Sequence, residues 1–182
     1  MPNDYDIRLA DAADIEQFAE IVNYYIEHSA INFHDKPQSD EDWEANWEVL
    51  KDRYPFLVAV KDDVVGGIAY ASPWKMRGAY HWTCEVTVYI RAGHERQGLG
   101  KALSVRMLEI LEAQGYRAIV AVIALPNEAS VTLHEALGFE HAGTLKKLGF
   151  KHDQWRDVSF WERRFGDPSQ PPGEVKPVSE VV

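Results

Sequence analysis

The sequence predicts an α/β fold of the α+β type, built on a mixed sheet, and three observations carry that expectation. Short apolar runs rich in β-branched residues are interspersed with longer runs whose apolar residues recur at helical spacing. The strand-like runs are grouped early (PFLVAV, VVGGIAYASPW) and late (FEHAGTLKKLGFK, WRDVSFWERRF), which strict strand–helix alternation would not produce. The stretch RAGHERQGLGKAL, residues 91–103, joins a strand directly to a helix through glycines.

Taken in order, Tyr5 to Ala10 alternates apolar and polar residues as a first strand. Asp11 and Asp14 supply caps for IEQFAEIVNYYIEH, where Ile15, Phe18, Ile21, Val22, Tyr25 and Ile26 form one helical stripe. SAINFHDKPQS follows as a loop longer than most connections, and long ordered loops are often functional. A charged helix from Asp40 to Arg53 carries Trp43, Trp47 and Leu50 on one face. Strands are expected at PFLVAV, at VVGGIAYASPW and from Ala79 to Ile90. A helix from Gln97 to Gln114, the strand AIVAVIA, a helix from Asn127 to Leu137 and the two late strands complete the pattern. From Gly166 the chain holds four of its nine prolines and shows no periodicity. Residues 1–165 are therefore expected to form one domain and residues 166–182 a Pro-rich tail.

Composition removes several function classes. Of 182 residues, 46% are hydrophobic and 26% charged, enough for a sizeable core. A net charge of -10 argues against nucleic acid and anionic membrane as partners, since both attract basic surfaces. Cys84 is the sole cysteine, so no intrachain disulfide and no cysteine-rich zinc cluster can form. No apolar run reaches membrane-spanning length, and MPNDYDIRLADAAD has no signal-peptide character; a reducing cytoplasm is the expected location.

Two stretches carry chemistry. In residues 91–103 the glycines stand at a helix mouth, where unpaired backbone N–H groups and the positive end of the helix dipole suit a phosphate. On spacing alone an ordinary glycine turn accounts for it equally well. In LPNEASVTLHEALGF, residues 125–139, Asn127 is a good N-cap, and Asn127, Ser130 and His134 share one helix face. That face could line a ligand groove, or be a cap with a solvated flank.

Together the two stretches resemble the acetyl-CoA-binding half of the GCN5-related N-acetyltransferases. The resemblance implies a splayed central sheet flanked by helices, in which a bulged strand pairs with the pantetheine arm and the glycine-rich mouth holds the pyrophosphate. It implies acetyl-CoA as cosubstrate and no metal. By it, Val88, Tyr89 and Ile90 offer backbone groups to the arm. Arg96, Gln97, Gly98, Leu99, Gly100 and Lys101 wrap the pyrophosphate, and Asn127 and Ser130 face the coenzyme from the other side. The superfamily usually opens its phosphate motif with Gln or Arg; Glu95 stands there instead and is expected to point away.

IVNYYIEHSAINF, RYPFLVAV, GIAYASPWKMRGAYHWTCEVTVYI, LEAQGYRAIVAVIALPN and GFKHDQWRDVSFW are similar to one branch of that superfamily, the herbicide-resistance phosphinothricin N-acetyltransferases. The similarity runs from about Ile7 to Phe165 and reaches the substrate half. It implies transfer of acetyl to the α-amine of phosphinothricin or a similar small amino acid, by direct attack, in a homodimer. Methionine sulfoximine, methionine sulfone or another amino acid is the alternative substrate, and a non-catalytic acetyl-CoA-binding module the alternative class.

The amine is largely protonated at neutral pH, so a base must accept its proton before attack. Glu85 is the candidate: it lies on TCEVTVY among apolar neighbours that would raise its pKa, and shares a strand face with Thr87 and Tyr89. The corresponding glutamate of the resembled family is its general base. His134 stands where many members of the superfamily carry an acidic tyrosine, and is expected to act catalytically or touch the coenzyme. Lys75 and Arg77 are candidate cations for the anionic ends of the substrate. Phe33, Tyr80 and Tyr89 are candidate walls for its aliphatic part, and a backbone N–H near Tyr89 is the candidate oxyanion donor. His28, His34 and His81 have no metal-ligand spacing. A pure binding module has no need of a base, so Glu85 favours the enzyme.

Overall fold

The computed structural model describes residues 4–182. Seven strands form one sheet: β1 (Asp6–Leu9), β2 (Phe56–Lys61), β3 (Val64–Pro73), β4 (Thr83–Ile90), β5 (Ala118–Ala124), β6 (Glu140–Lys151) and β7 (Gln154–Arg164). Their spatial order is β1-β2-β3-β4-β5-β7-β6, and every neighbouring pair is antiparallel except β4 and β5.

Four α-helices pack on this sheet: α1 (Ile15–His28), α2 (Asp40–Leu50), α3 (Leu99–Gln114) and α4 (Glu128–Ala136). Ser39 and Asp42 form a capping box that starts α2, satisfying two amides that the helix itself leaves unpaired. Ahead of α1, Asp14 takes a bidentate grip from Arg8 at 2.6 and 2.9 Å. Burial pushes the Asp14 carboxyl up, but the guanidinium bonds win and hold it below the usual range.

The apolar stripe of α1 covers one sheet face. Phe18, fully buried, meets Trp43 of α2 and Phe56 and Tyr70 of the sheet at centroid distances of 5.3, 5.7 and 5.6 Å. On the opposite face α3 lies close enough that a Cβ on Gly67 would stand 3.1 Å from Leu103, as well as 2.8 Å from Ile90 of β4.

The feature that makes a site is the parallel pair. β4 and β5 pair only from Thr83↔Ala118 to Glu85↔Val120 and then part. Beyond Glu85, β4 keeps its register with β3 as far as Gly67↔Ile90, while β5 stays with β7 as far as Ala124↔Val158. Each strand follows the twist of its own antiparallel partner, so a gap opens between them. The expected splay is present, but the bulge implied with it is not in β4: its pairing with β3 runs without a register shift.

Several expected boundaries move, among them the end of α2, at Leu50 rather than Arg53. β4 begins at Thr83 rather than Ala79, because Gly78–Tyr80 winds into a 3-10 turn. Helix α3 begins at Leu99 rather than Gln97, because Gly98 takes the left-handed conformation at φ 80°, which ends the loop and caps the helix. The segment from Gly166, expected as a tail, lies back against the body. Val175 and Val178 are buried, Trp82 Nε1 donates to Gly173 O at 2.6 Å, and Gln114 Nε2 donates to Lys176 O at 2.8 Å.

Candidate active site

Where β4 and β5 part, a cleft of about 1350 Å³ opens between them. Its floor is the unpaired side of β4 from Glu85 to Ile90, facing Ala121 to Ala124 of β5. Main-chain groups along that edge of β4 beyond Glu85 have no strand partner, so an extended chain carrying amides can complete the pairing.

At one end lies the loop 91–98. Gly93 and Gly98 have positive φ, and the non-glycine Arg96 joins them at φ 60°. Such a run of turns directs successive N–H groups to one side, ahead of the positive end of the sixteen-residue helix α3. Arg96, Gly98, Leu99 and Gly100 line the cleft; the expected Gln97 and Lys101 do not. Glu95 does not turn away as expected. It lines the cleft and accepts from Gly93 N–H at 2.9 Å, taking up one loop amide. Arg91 braces the loop from behind, donating to Val65 O at 2.6 Å and to Glu20 at 3.1 Å.

Across the gap, Asn127 caps α4 by accepting from Ser130 N–H at 3.2 Å, and both residues line the cleft. One turn on, His134 is buried, with Nδ1 2.8 Å from Ser130 O. A carbonyl can only accept, so Nδ1 carries the proton and Nε2 is left as the acceptor. Burial draws the His134 pKa down, the Ser130 contact opposing it, and the ring is neutral at physiological pH.

Glu85 stands half-buried at the fork itself, on the last rung shared by β4 and β5. Burial pushes its pKa above the ordinary carboxylate value and the Lys75 ammonium draws it back in part. Such a carboxylate, once ionised, is a better proton acceptor than a solvated one. Lys75→Met should therefore shift the acid limb of the kcat/KM profile to higher pH, since the lost cation no longer favours ionised Glu85. An unmoved limb in a pH series on wild type and variant would remove Lys75 from the electrostatics of this site.

Tyr89, four residues from Glu85 and on the same face, stacks on Tyr25 at 4.9 Å and takes a hydrogen bond from Asn32 Nδ2 at 3.2 Å. Burial, against the Asn32 bond, pushes its hydroxyl up to about 12, so it stays protonated and can donate. Phe33 lines the cleft from the loop between α1 and α2. Lys75, Arg77 and Tyr80 do not line it. They sit on the exposed segment that leaves the sheet at Pro73 and returns at Thr83.

Reading the residues alone missed Asn32, which is 8% exposed, accepts from His34 N–H at 2.8 Å and reaches Tyr89. The one local signal was an asparagine two residues ahead of a loop amide, an Asx turn. Tyr25 was read only as helix stripe, yet it lines the cleft and donates to Ile90 O at 2.6 Å.

Known proteins share this architecture. The family description "Acetyltransferase (GNAT) domain" matches residues 7–160. A phosphinothricin N-acetyltransferase of Streptomyces viridochromogenes is 52% identical over 176 residues, covering 97% of this chain and 96% of that protein. An L-methionine sulfoximine/L-methionine sulfone acetyltransferase of Salmonella typhimurium is 31% identical, covering 91% of this chain and 97% of its own. Among solved structures, a phosphinothricin acetyltransferase from Sinorhizobium meliloti in complex with AcCoA superposes with a TM-score of 0.90 at 32% identity, covering 94% of this chain and 95% of that one. A forked sheet, a glycine loop leading into α3 and a match spanning most of the chain make one conclusion: the protein belongs to the GNAT acetyltransferase family.

Proposed function

We propose that this enzyme transfers the acetyl group of acetyl-CoA to the α-amine of phosphinothricin or a closely similar amino acid. One observation carries the reading: a carboxylate with a raised pKa, Glu85, stands where β4 and β5 fork, beside the free main-chain edge that can pair with a pantetheine arm. Val88 to Ile90 would pair with the arm, loop amides with Arg96 would hold the pyrophosphate, and Asn127 and Ser130 would close the other side. Glu85 takes the ammonium proton, the freed amine attacks the thioester carbonyl, and collapse of the tetrahedral adduct breaks the C–S bond; the coenzyme A thiolate leaves and takes up the second amine proton. An unpaired amide of β4 near Tyr89 meets the developing oxyanion. Neutral His134, with its proton committed to Ser130 O, serves as an acceptor that fixes a neighbour rather than as a resident acid. Lys75 and Arg77, on the exposed segment outside the cleft lining, would reach the anionic ends of the substrate only from the rim.

A second substrate reading has its own support. Arg96, on the glycine loop, is the one Lys or Arg side chain among the described residues lining the cleft. An amino acid with a tetrahedral but uncharged head, methionine sulfone or sulfoximine, makes less demand on cations. Thiol release from acetyl-CoA, measured with phosphinothricin, methionine sulfone, methionine sulfoximine and glutamate, separates the readings. Turnover of none of them would overturn the substrate class.

The exposed apolar residues of the β6–β7 hairpin, Leu145, Leu148, Phe150 and Trp155, support assembly as a homodimer through that hairpin. Sedimentation at micromolar concentration should read twice the chain mass, and a monomer would exclude it. The single thiol is buried and held above its ordinary pKa by that burial, which fits a cytoplasmic enzyme with no disulfide to maintain. Acetylating phosphinothricin in that compartment would confer resistance to the herbicide.

A further inference from the structure

The loop 29–39 forms the wall of the cleft opposite the glycine loop, yet it has no regular secondary structure to hold it. An eleven-residue loop left free would have to be ordered each time substrate arrives, at an entropic cost for every residue fixed. Asn23 of α1 holds its end through Gln38, with bonds of 2.8 and 3.0 Å, and the fastening of its middle comes from far along the sequence.

Lys151, the last residue of β6, places Nζ 2.6 Å from Ile26 O, 2.7 Å from Asn32 O and 2.9 Å from His34 O. An ammonium has three protons, and here three main-chain carbonyls receive them. The Ile26 carbonyl belongs to the last turn of α1, where no helical amide is available and a cation is favoured by the dipole. The other two carbonyls flank Phe33. Two residues back along β6, a Cβ on Gly149 would fall 2.3 Å from the Phe33 ring, so only glycine lets that ring lie on the strand. His152 Nε2 adds a contact with Ser29 O at 3.1 Å. Burial lowers the Lys151 pKa and Asp35 opposes it, as expected for a cation partly withdrawn from water.

We propose that Lys151 is the positioning residue of the amine-binding wall: its ammonium fixes the backbone of Asn32 and His34, and through them the Asn32–Tyr89 hydrogen bond and the Phe33 ring, before substrate binds. The assignment rests on the reading that the amine enters this cleft. Lys151 does not itself line the cleft; it acts through the loop.

The test is Lys151→Met in the full chain, read in two ways. Amide hydrogen exchange should quicken about tenfold or more at residues 30–37 and stay unchanged at the glycine loop 91–98. For the amino acid that wild type acetylates, KM should rise about tenfold or more while the acetyl-CoA Kd stays within about twofold, as misplacement of a positioning wall implies. Lys151→Arg, which restores charge and donors in a planar fork, should recover part of both. Unchanged exchange in the loop, faster exchange throughout the chain, or a freer loop with unaltered KM would each overturn the proposal. If wild type acetylates no member of the amino-acid panel, the substrate reading falls, and the exchange pattern still decides the role of Lys151.

Discussion

Replacing Glu85 with glutamine should lower kcat at pH 7 by about 10²–10⁴-fold, while the acetyl-CoA Kd stays at its wild-type value. The amide keeps the size of the side chain and cannot accept a proton. The deficit should shrink as pH rises, because more of the amine is already neutral. Wild-type activity should fall as pH drops through the raised Glu85 pKa. The same shift fixes the sign of the stability effect. Burial makes ionised Glu85 less favourable in the folded chain than in the unfolded one, so above the unfolded pKa the carboxylate subtracts from stability. The neutral amide removes that penalty, and Glu85→Gln should melt no lower than wild type. Wild-type turnover in the variant at pH 7 would move the base elsewhere; lost turnover with a lowered Tm would point to unfolding instead.

The second large effect concerns the docked C-terminal segment. Gly115 ends α3 in the left-handed conformation at φ 97°, and a Cβ there would stand 2.9 Å from Glu174 O. Gly115→Ala therefore meets two costs, about 1–2 kcal/mol for the backbone conformation and a further one for pushing residue 174 off the helix end. At about 2 kcal/mol in total, Tm should fall by roughly 4–8 °C. Displacing Glu174 also loosens the Gln114–Lys176 contacts, where Gln114 Nε2 donates at 2.8 Å and Lys176 N–H donates back to Gln114 O at 2.8 Å. Gly115→Asn separates the two costs, since asparagine tolerates the left-handed region but carries the same Cβ. A melting curve superposable on wild type would show that the segment yields freely.

The parts of this molecule that were legible in its sequence are those whose signal is local. The α1 stripe, the strand periodicity and the glycine helix mouth each follow from neighbours within a few residues, and each element exists where expected, with its start shifted at β4 and α3. Glu85 was legible because a two-residue period puts it on one face with Tyr89, and the register of β3 with β4 keeps that alternation intact. The rest depends on partners far along the chain. Asn32 gains its role from Tyr89, 57 residues on, and Lys151 from carbonyls more than a hundred residues earlier. The segment after Gly166 docks chiefly through main-chain bonds and two valines, which leaves no periodic trace. Ala79 to His81 read as strand because its residue types suit one, whereas Gly78 and solvent exposure favour a turn.

The fork between β4 and β5 also bears on how such enzymes diversify. A coenzyme arm paired along Val88 to Ile90, as proposed above, would be recognised by peptide groups, which every residue type supplies alike. Mutation along that strand can change the side chains facing the amine without rewriting the coenzyme contract. Two relatives named for different amino acids, 52% and 31% identical to this chain over nearly its whole length, are the outcome such an arrangement permits. Selection for a new substrate would then fall on Glu85's neighbours and on the wall that carries Asn32 and Phe33, and leave the backbone edge as common inheritance.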